Sequence, residues 1–330
     1  MLRRLETVTL GWAGRGGSTL RLMTTPPDVA EMLGRLQVLA GRTYAVAELG
    51  GGLTNRNYRV TTTDDGDQGD YVVRVSSNES GLLAIDRAGE RHNSRKAWEA
   101  GVGAPVVEAL PDDNVLVVGF LQGRTLTMDD IRDAATIPRI AASVRMLHQG
   151  PEFVGTFDMR AIRRRYLEIV LSKGFQLPPD YLDLAAKVEA IEDAMRPGDE
   201  VLVPCNNDLL AGNFIDAGDT VWIIDYEYGG MNEASFELGN LAAESFLTVD
   251  VTEALVTSYW GGARHDKLAR ARAWSLLARY GWTLWASIQD GVSPIDFDFW
   301  SWGMEKYDSA RAELLGKDFD DIVTGLSRES

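Results

Sequence analysis

The chain has 330 residues, 45% hydrophobic and 25% charged, which is the balance of a folded protein with room for two lobes and a cleft and excludes a disordered chain. With 33 Lys+Arg against 49 Asp+Glu, its formal charge of −16 excludes broad attraction to nucleic-acid backbones and anionic membranes, so any bound phosphate is held locally. A single cysteine, Cys205, excludes an internal disulfide framework, and no apolar run approaches the ~18 residues of a membrane span; the expectation is a cytoplasmic protein without stable membrane insertion.

Residues 1–22 carry Arg3, Arg4, Arg15 and Arg21 against Glu6, and glycines break their one apolar stretch, a pattern too weak for a secretory signal. They read either as an extension, with Met23 as an alternative start, or as a loosely ordered arm. Val29, Met32, Leu33 and Leu36 then mark one face of a helix. Ala45 to Leu49, Arg56 to Thr63 and Tyr71 to Val75 alternate as strands, with a Gly-rich turn between the first two and the polar segment 64–70 as a hairpin loop. Ala84 to Ala100 has helical composition and stops at Gly101, after which Pro105 to Leu110 and Val115 to Val118 form strands around the turn 111–114.

Past the glycine-flanked segment 119–124 the chain turns mainly helical, beginning with a capping-box pattern at Thr127 and Asp130. Two short apolar runs, Val201 to Val203 and Val221 to Ile224, end directly before polar residues, where strands commonly present catalytic groups. The expected architecture is α+β: a small antiparallel N-terminal lobe over 23–118, a hinge at 119–124, and a helical catalytic lobe over 125–330.

Gly50-Gly51-Gly52-Leu53-Thr54-Asn55 can bring backbone amides and the Thr54 or Asn55 side chain to a polyphosphate, although Gly-rich hairpins often hold nothing. Arg74, on the third strand, can touch a nucleotide phosphate while Glu90 holds it in place; an exposed surface pair is the alternative. Asn206-Asn207-Asp208 through Asn213, followed by Ile224-Asp225-Tyr226-Glu227, is the more specific signal. Asp208 can orient or deprotonate a hydroxyl, and Asn213 and Asp225 offer hard oxygen ligands to Mg2+. Singly, each of these residues suits a helix cap or a turn; their ordered combination matches a phosphotransferase site.

In the order and spacing of these motifs, together with Val73-Arg74-Val75, Asn93-Ser94, Gly119-Phe120-Leu121 and Tyr228, the chain resembles the choline/ethanolamine kinases over roughly residues 30–315. This family lies within the aminoglycoside-phosphotransferase and protein-kinase-like fold, and the bacterial choline kinases are the nearer type. The resemblance implies ATP bound by an N-terminal lobe through Gly51, Gly52, Thr54, Asn55, Arg74 and Glu90. It also implies adenine contacts at Phe120 and Leu121, Asp208 as base, and Mg2+ on Asn213 and Asp225. Arg74 stands where protein kinases carry lysine. Asn206 stands where the family carries a loop-bracing histidine, which predicts altered loop rigidity more than lost chemistry.

Trp282 and Trp285 share a helical face and Trp302 follows in the next helix. The family places its choline pocket at these positions, although tryptophans in such a pattern also fill cores. Glu244 is expected near the cationic headgroup or, alternatively, as a solvated helix carboxylate; Glu227 can support Mg2+ or the acceptor. His148 reads as structural at a helix end. The expected activity is ATP-dependent phosphorylation of choline, a small cationic amino alcohol. Ethanolamine, thiamine, aminoglycoside or sugar kinases share the machinery, and a catalytically impaired nucleotide- or cation-binding protein is the alternative from another class. Homo-oligomerisation is left open.

Overall fold

The computed structural model describes residues 27–50, 54–64, 68–76, 80–83, 85–195, 200–317 and 319–327; the expectations for residues 1–22 and for Gly51 and Gly52 lie outside them. The chain divides into two units, residues 1–78 with 105–120 and residues 79–104 with 121–330.

The first unit is built on helix α1 (Pro27–Gly34) and a five-stranded antiparallel sheet in the order β1-β2-β3-β5-β4. Its strands are β1 (Tyr44–Leu49), β2 (Asn55–Thr62), β3 (Asp70–Ser76), β4 (Val106–Leu110) and β5 (Val115–Gly119). Period-two alternation in β2 sends Tyr58, Val60 and Thr62 inward, where Tyr58 and Val60 meet Val73 of β3 and Val115 and Val117 of β5. The apolar face foreseen from spacing closes this core: Val29, Met32 and Leu33 of α1 are buried in it, as is Leu36, which lies just past the end of the helix. Register places Arg74 between Asn57 of β2 and Leu116 of β5.

The second unit begins with α2 (Ser80–Leu83) and α3 (Arg87–Glu99), the latter N-capped by Asp86 through the Ala88 amide. Sequence composition assigns this helical insertion to the N-terminal lobe, whereas its contacts put it in the second unit. Tyr166 donates to the Leu83 carbonyl at 2.7 Å, Asn93 donates to the Gly229 carbonyl at 2.8 Å, and the Ile223 amide donates to the Val102 carbonyl at 2.8 Å. Such ties join residues far apart in the chain and leave no trace in local composition.

There follow β6 (Arg124–Thr125), α4 (Met128–Arg132), α5 (Ile137–His148), α6 (Met159–Lys173) and α7 (Ala185–Ala194). The Thr127–Asp130 capping box is present at the start of α4. Two small antiparallel sheets come next, β10-β7 and β6-β8-β9, formed with β7 (Leu202–Cys205), β8 (Phe214–Asp216), β9 (Val221–Ile223) and β10 (Gly230–Glu233). The chain closes with α8 (Ala234–Glu244), α9 (Val249–Trp260), α10 (His265–Val292), α11 (Phe299–Leu315) and α12 (Phe319–Ser327).

Helix α10 is the axis of this unit. It packs on α6, α8, α9, α11 and α12, and it is buried without a break from Ala273 to Gln289. Arg270, at its buried end, donates two 2.7 Å hydrogen bonds to Glu233, which also accepts from the Trp274 indole at 2.8 Å. Removing either side of that pair would strand a buried charge. No described helix is long and apolar enough to cross a membrane.

The approach of α8 to α10 depends on Gly239, where an added Cβ would lie 2.5 Å from the Ala271 carbonyl and 2.9 Å from the Ser275 amide. Both are backbone atoms and cannot rotate away. Gly239→Ala is therefore expected to destabilise the protein by about 1–3 kcal/mol, read as a lowered denaturation midpoint; an unchanged midpoint would mean that the two helices separate freely.

Candidate active site

Strand β7 ends at the buried Cys205, and the loop after it is shaped from below by Glu237, in the first turn of α8. The fully buried Glu237 carboxylate accepts the backbone amides of Asn206 and Asn207, each at 2.8 Å, one on each oxygen. Asn207 turns into the left-handed region at φ 66°. Its side chain donates to the Tyr228 carbonyl at 2.9 Å and accepts from Asn232 at 2.9 Å. The chain is thereby turned so that the next residue is Asp208, which keeps a part-exposed edge.

Asn206 braces two loops at once. Its amide nitrogen donates to the carbonyls of Ile224 (3.2 Å) and Asp225 (2.8 Å), and its amide oxygen accepts from the Asp208 amide at 3.0 Å. A carboxamide supplies two donor hydrogens and an acceptor in one plane, which a single imidazole cannot match. Asn213 donates to the Asp208 carbonyl at 2.7 Å, and its own carbonyl accepts from the Ile224 amide at 2.9 Å. Asp208, Asn213 and Asp225 thus belong to one hydrogen-bonded unit. Asp225 is itself left-handed, at φ 65°.

The set fits a hard divalent cation. With its nitrogen committed to Asp208, Asn213 has its carboxamide oxygen left to offer. Asp225 adds a carboxylate, and both residues are only part-buried. Burial, then the carboxylates of Glu244, Asp225 and Glu227, pushes Asp208 well above the usual carboxylate range, and Lys306 partly offsets them. Arg87 of α3 donates to Glu90 at 2.7 Å and to Glu227 at 3.2 Å, so the helix holds the segment that carries Asp225.

An aromatic wall continues from this segment. Trp285 donates its indole N–H to the Tyr228 hydroxyl at 2.9 Å, and the Trp282 indole donates to Asn240 at 2.8 Å. Ring centroids lie 5.4 Å apart for Tyr228 and Trp282 and 5.5 Å apart for Trp285 and Trp302. The three tryptophans are thus joined through Tyr228, with Trp282 and Trp285 buried and Trp302 part-exposed. Glu244 is 4% exposed and pairs with Lys306 at 2.5 Å, which overturns its alternative reading as a solvated carboxylate. His148 is buried at the end of α5, 2.7 Å from the Tyr259 hydroxyl and 3.6 Å from the Cys205 sulfur.

In the first unit, Asn55 begins β2 and donates to the Thr54 hydroxyl at 2.8 Å, and Arg74 is buried on β3. Phe120 lies under the Arg59 guanidinium, 3.8 Å from the ring centroid, while Leu121 opens the next stretch of the second unit. Glu237, Arg87 and Lys306 were missed in the sequence, and Asn207 was noted there only as part of the motif, without a role. Lys306 leaves a local signal there, one helical turn after Trp302, as does Arg87, three residues before Glu90.

A protein-family model described as choline/ethanolamine kinase matches residues 46–256, well over half of the chain. The chain belongs to the choline/ethanolamine kinase family. It is 26% identical to Protein LicA of Haemophilus influenzae over 216 residues, 63% of this chain and 61% of that protein, so the alignment spans under two thirds of LicA. It is 25% identical to probable choline kinase 1 of Arabidopsis thaliana over 316 residues, covering 85% of this chain and 88% of that one. Among solved structures, a choline/ethanolamine kinase family protein from Mesorhizobium loti superposes with a TM-score of 0.78 at 26% identity, over 91% of this chain and 98% of that one. The family's chemistry is ATP-dependent phosphorylation of an amino-alcohol hydroxyl, and the α+β fold is of the same kinase type.

Glu237→Gln tests the brace in this family member. The glutamine NH2 would face one of the two loop amides, donor against donor, at a cost of about 1–3 kcal/mol in stability. Displacing Asp208 should lower kcat by about tenfold or more. Unchanged melting and turnover would show that the two amides do not need the carboxylate.

Proposed function

We propose that this protein transfers the γ-phosphoryl group of ATP to the hydroxyl of choline, giving phosphocholine and ADP. The observation that carries the reading is one hydrogen-bonded unit of Asp208, Asn213 and Asp225, continued three residues later by Tyr228 into the tryptophan wall. Asp208 holds the acceptor hydroxyl and takes its proton as the oxygen bonds to the γ-phosphorus and the bridging bond to ADP breaks. Asn213 and Asp225 would hold Mg2+, whose chemistry is to neutralise phosphate charge. Nucleotide contacts are assigned to Gly51, Gly52, Thr54, Asn55 and Arg74, with Glu90 as support and Phe120 and Leu121 at the adenine.

Asn206 supports competence, because its side chain does the bracing expected of the family's histidine. The aromatic wall favours a trimethylammonium over a primary ammonium, whose three donors prefer water or carboxylates.

Acceptor-dependent ADP release, measured with choline, ethanolamine, thiamine and an aminoglycoside, tests the reading. Choline should give the highest kcat/KM; nucleotide binding with no acceptor-dependent release would identify a binding protein instead. Asp225→Ala should weaken Mg2+-dependent ATP binding and turnover together, and retention of both in the folded variant would remove Asp225 from the metal site.

Selectivity gives a separate check. Trp285→Leu should cost choline on the order of 1 kcal/mol, roughly fivefold in kcat/KM, and cost ethanolamine less. Equal losses for the two alcohols would make Trp285 a packing residue.

A further inference from the structure

The cation site formed by Glu244 and Trp302 already holds a cation of the protein's own. The Lys306 ammonium lies 2.5 Å from the Glu244 carboxylate, 4.1 Å from the centroid of the Trp302 ring and 5.7 Å from that of Phe246. Lys306 and Glu244 are 1% and 4% exposed. Phe246 takes a left-handed backbone at φ 48°, which bulky residues rarely adopt, just past the helix that carries Glu244. A carboxylate with aromatic rings about it is the surrounding that a desolvated ammonium requires, and a lysine reaching it from α11 meets that requirement without a ligand.

We propose that Lys306 is a specificity-determining residue: a tethered ammonium that competes with the acceptor's cationic headgroup for the Glu244–Trp302 subsite. Lys306 occupies the ring face and the carboxylate oxygen that a second cation at this subsite would use. The acceptor therefore binds only as Lys306 withdraws, and lysine sets an upper limit on headgroup affinity. The inference rests on the reading of the tryptophan wall as an acceptor pocket.

Lys306→Met keeps the length of the side chain and removes its charge. Isothermal titration of the full chain with choline and with tetramethylammonium, without ATP, should show each binding at least tenfold more tightly to Lys306→Met than to wild type. In the steady state the choline KM should fall while the ATP KM stays unchanged. Lys306→Met/Glu244→Gln, which restores neutrality, should lose the gain. A folded Lys306→Met with wild-type or weaker affinity overturns the proposal.

The single variant leaves a buried carboxylate without its partner and can fail to fold. Folding only in the presence of tetramethylammonium would support the proposal; failure with it, while the double variant folds, would show a purely structural ion pair. In wild type, saturating choline should expose Lys306 to a water-soluble acylating reagent, read by peptide mass, and unchanged protection overturns the competition whatever the variants do. Because the titrations need no turnover, the two readings fail separately. Tighter cation binding without phosphoryl transfer would sink the kinase assignment alone, and normal choline turnover with no gain in Lys306→Met would sink the competition alone.

Discussion

The second unit depends on one buried carboxylate. Glu237 has no exposed surface and accepts two consecutive backbone amides, those of Asn206 and Asn207, which would otherwise be orphan donors in the interior. Both amides are thereby satisfied inside the fold, which fixes the path of the loop after β7. From that path Asn207 reaches Tyr228 and Asn232, and Asn206 reaches Asp225. Asn240 donates to the Asn207 carbonyl at 3.3 Å and accepts from Trp282. Asp208, the segment carrying Asp225 and the aromatic wall are thus successive parts of one polar network, in which a lost member leaves its partners unsatisfied at low dielectric.

Phosphoryl transfer asks mainly for positioning and charge, and the network supplies both. Helix α8 carries Glu237, Asn240 and Glu244 on buried positions, so the α8–α10 packing at Gly239 locates the loop and Glu244 together. The proposed acceptor end would serve packing and recognition at once. Both buried indoles spend their N–H groups on the network, so in the proposed reading recognition by them falls to the ring faces.

What could be read from the sequence follows from what sequence pattern encodes. The α1 face, the five strands of the first sheet and the Thr127–Asp130 box are set by neighbours two to four residues apart, and these were legible. Asp208, Asn213 and Asp225 were singled out because their order and spacing form a motif, and the structure joins them in one hydrogen-bonded unit. Glu237 could not be found that way, since its partners lie about thirty residues earlier and a helical glutamate looks the same buried or solvated. The pairing of Glu244 with Lys306, 62 positions apart, was equally invisible, although Glu244 itself was singled out. The insertion 79–104 was placed with its sequence neighbours because its ties to Tyr166, Ile223 and Gly229 have no local signature.

Asp208 carries the most weight in the proposed reaction, because Asn206 and Asn213 hydrogen-bond to its backbone and so set where its carboxyl lies. The direct measurement is single-turnover phosphoryl transfer from MgATP to choline by Asp208→Ala, with MgATP affinity measured on the same sample. The account predicts that transfer is lost while nucleotide affinity stays close to that of wild type, since the side chain addresses the alcohol rather than the nucleotide. Near-normal transfer by the folded variant would contradict it.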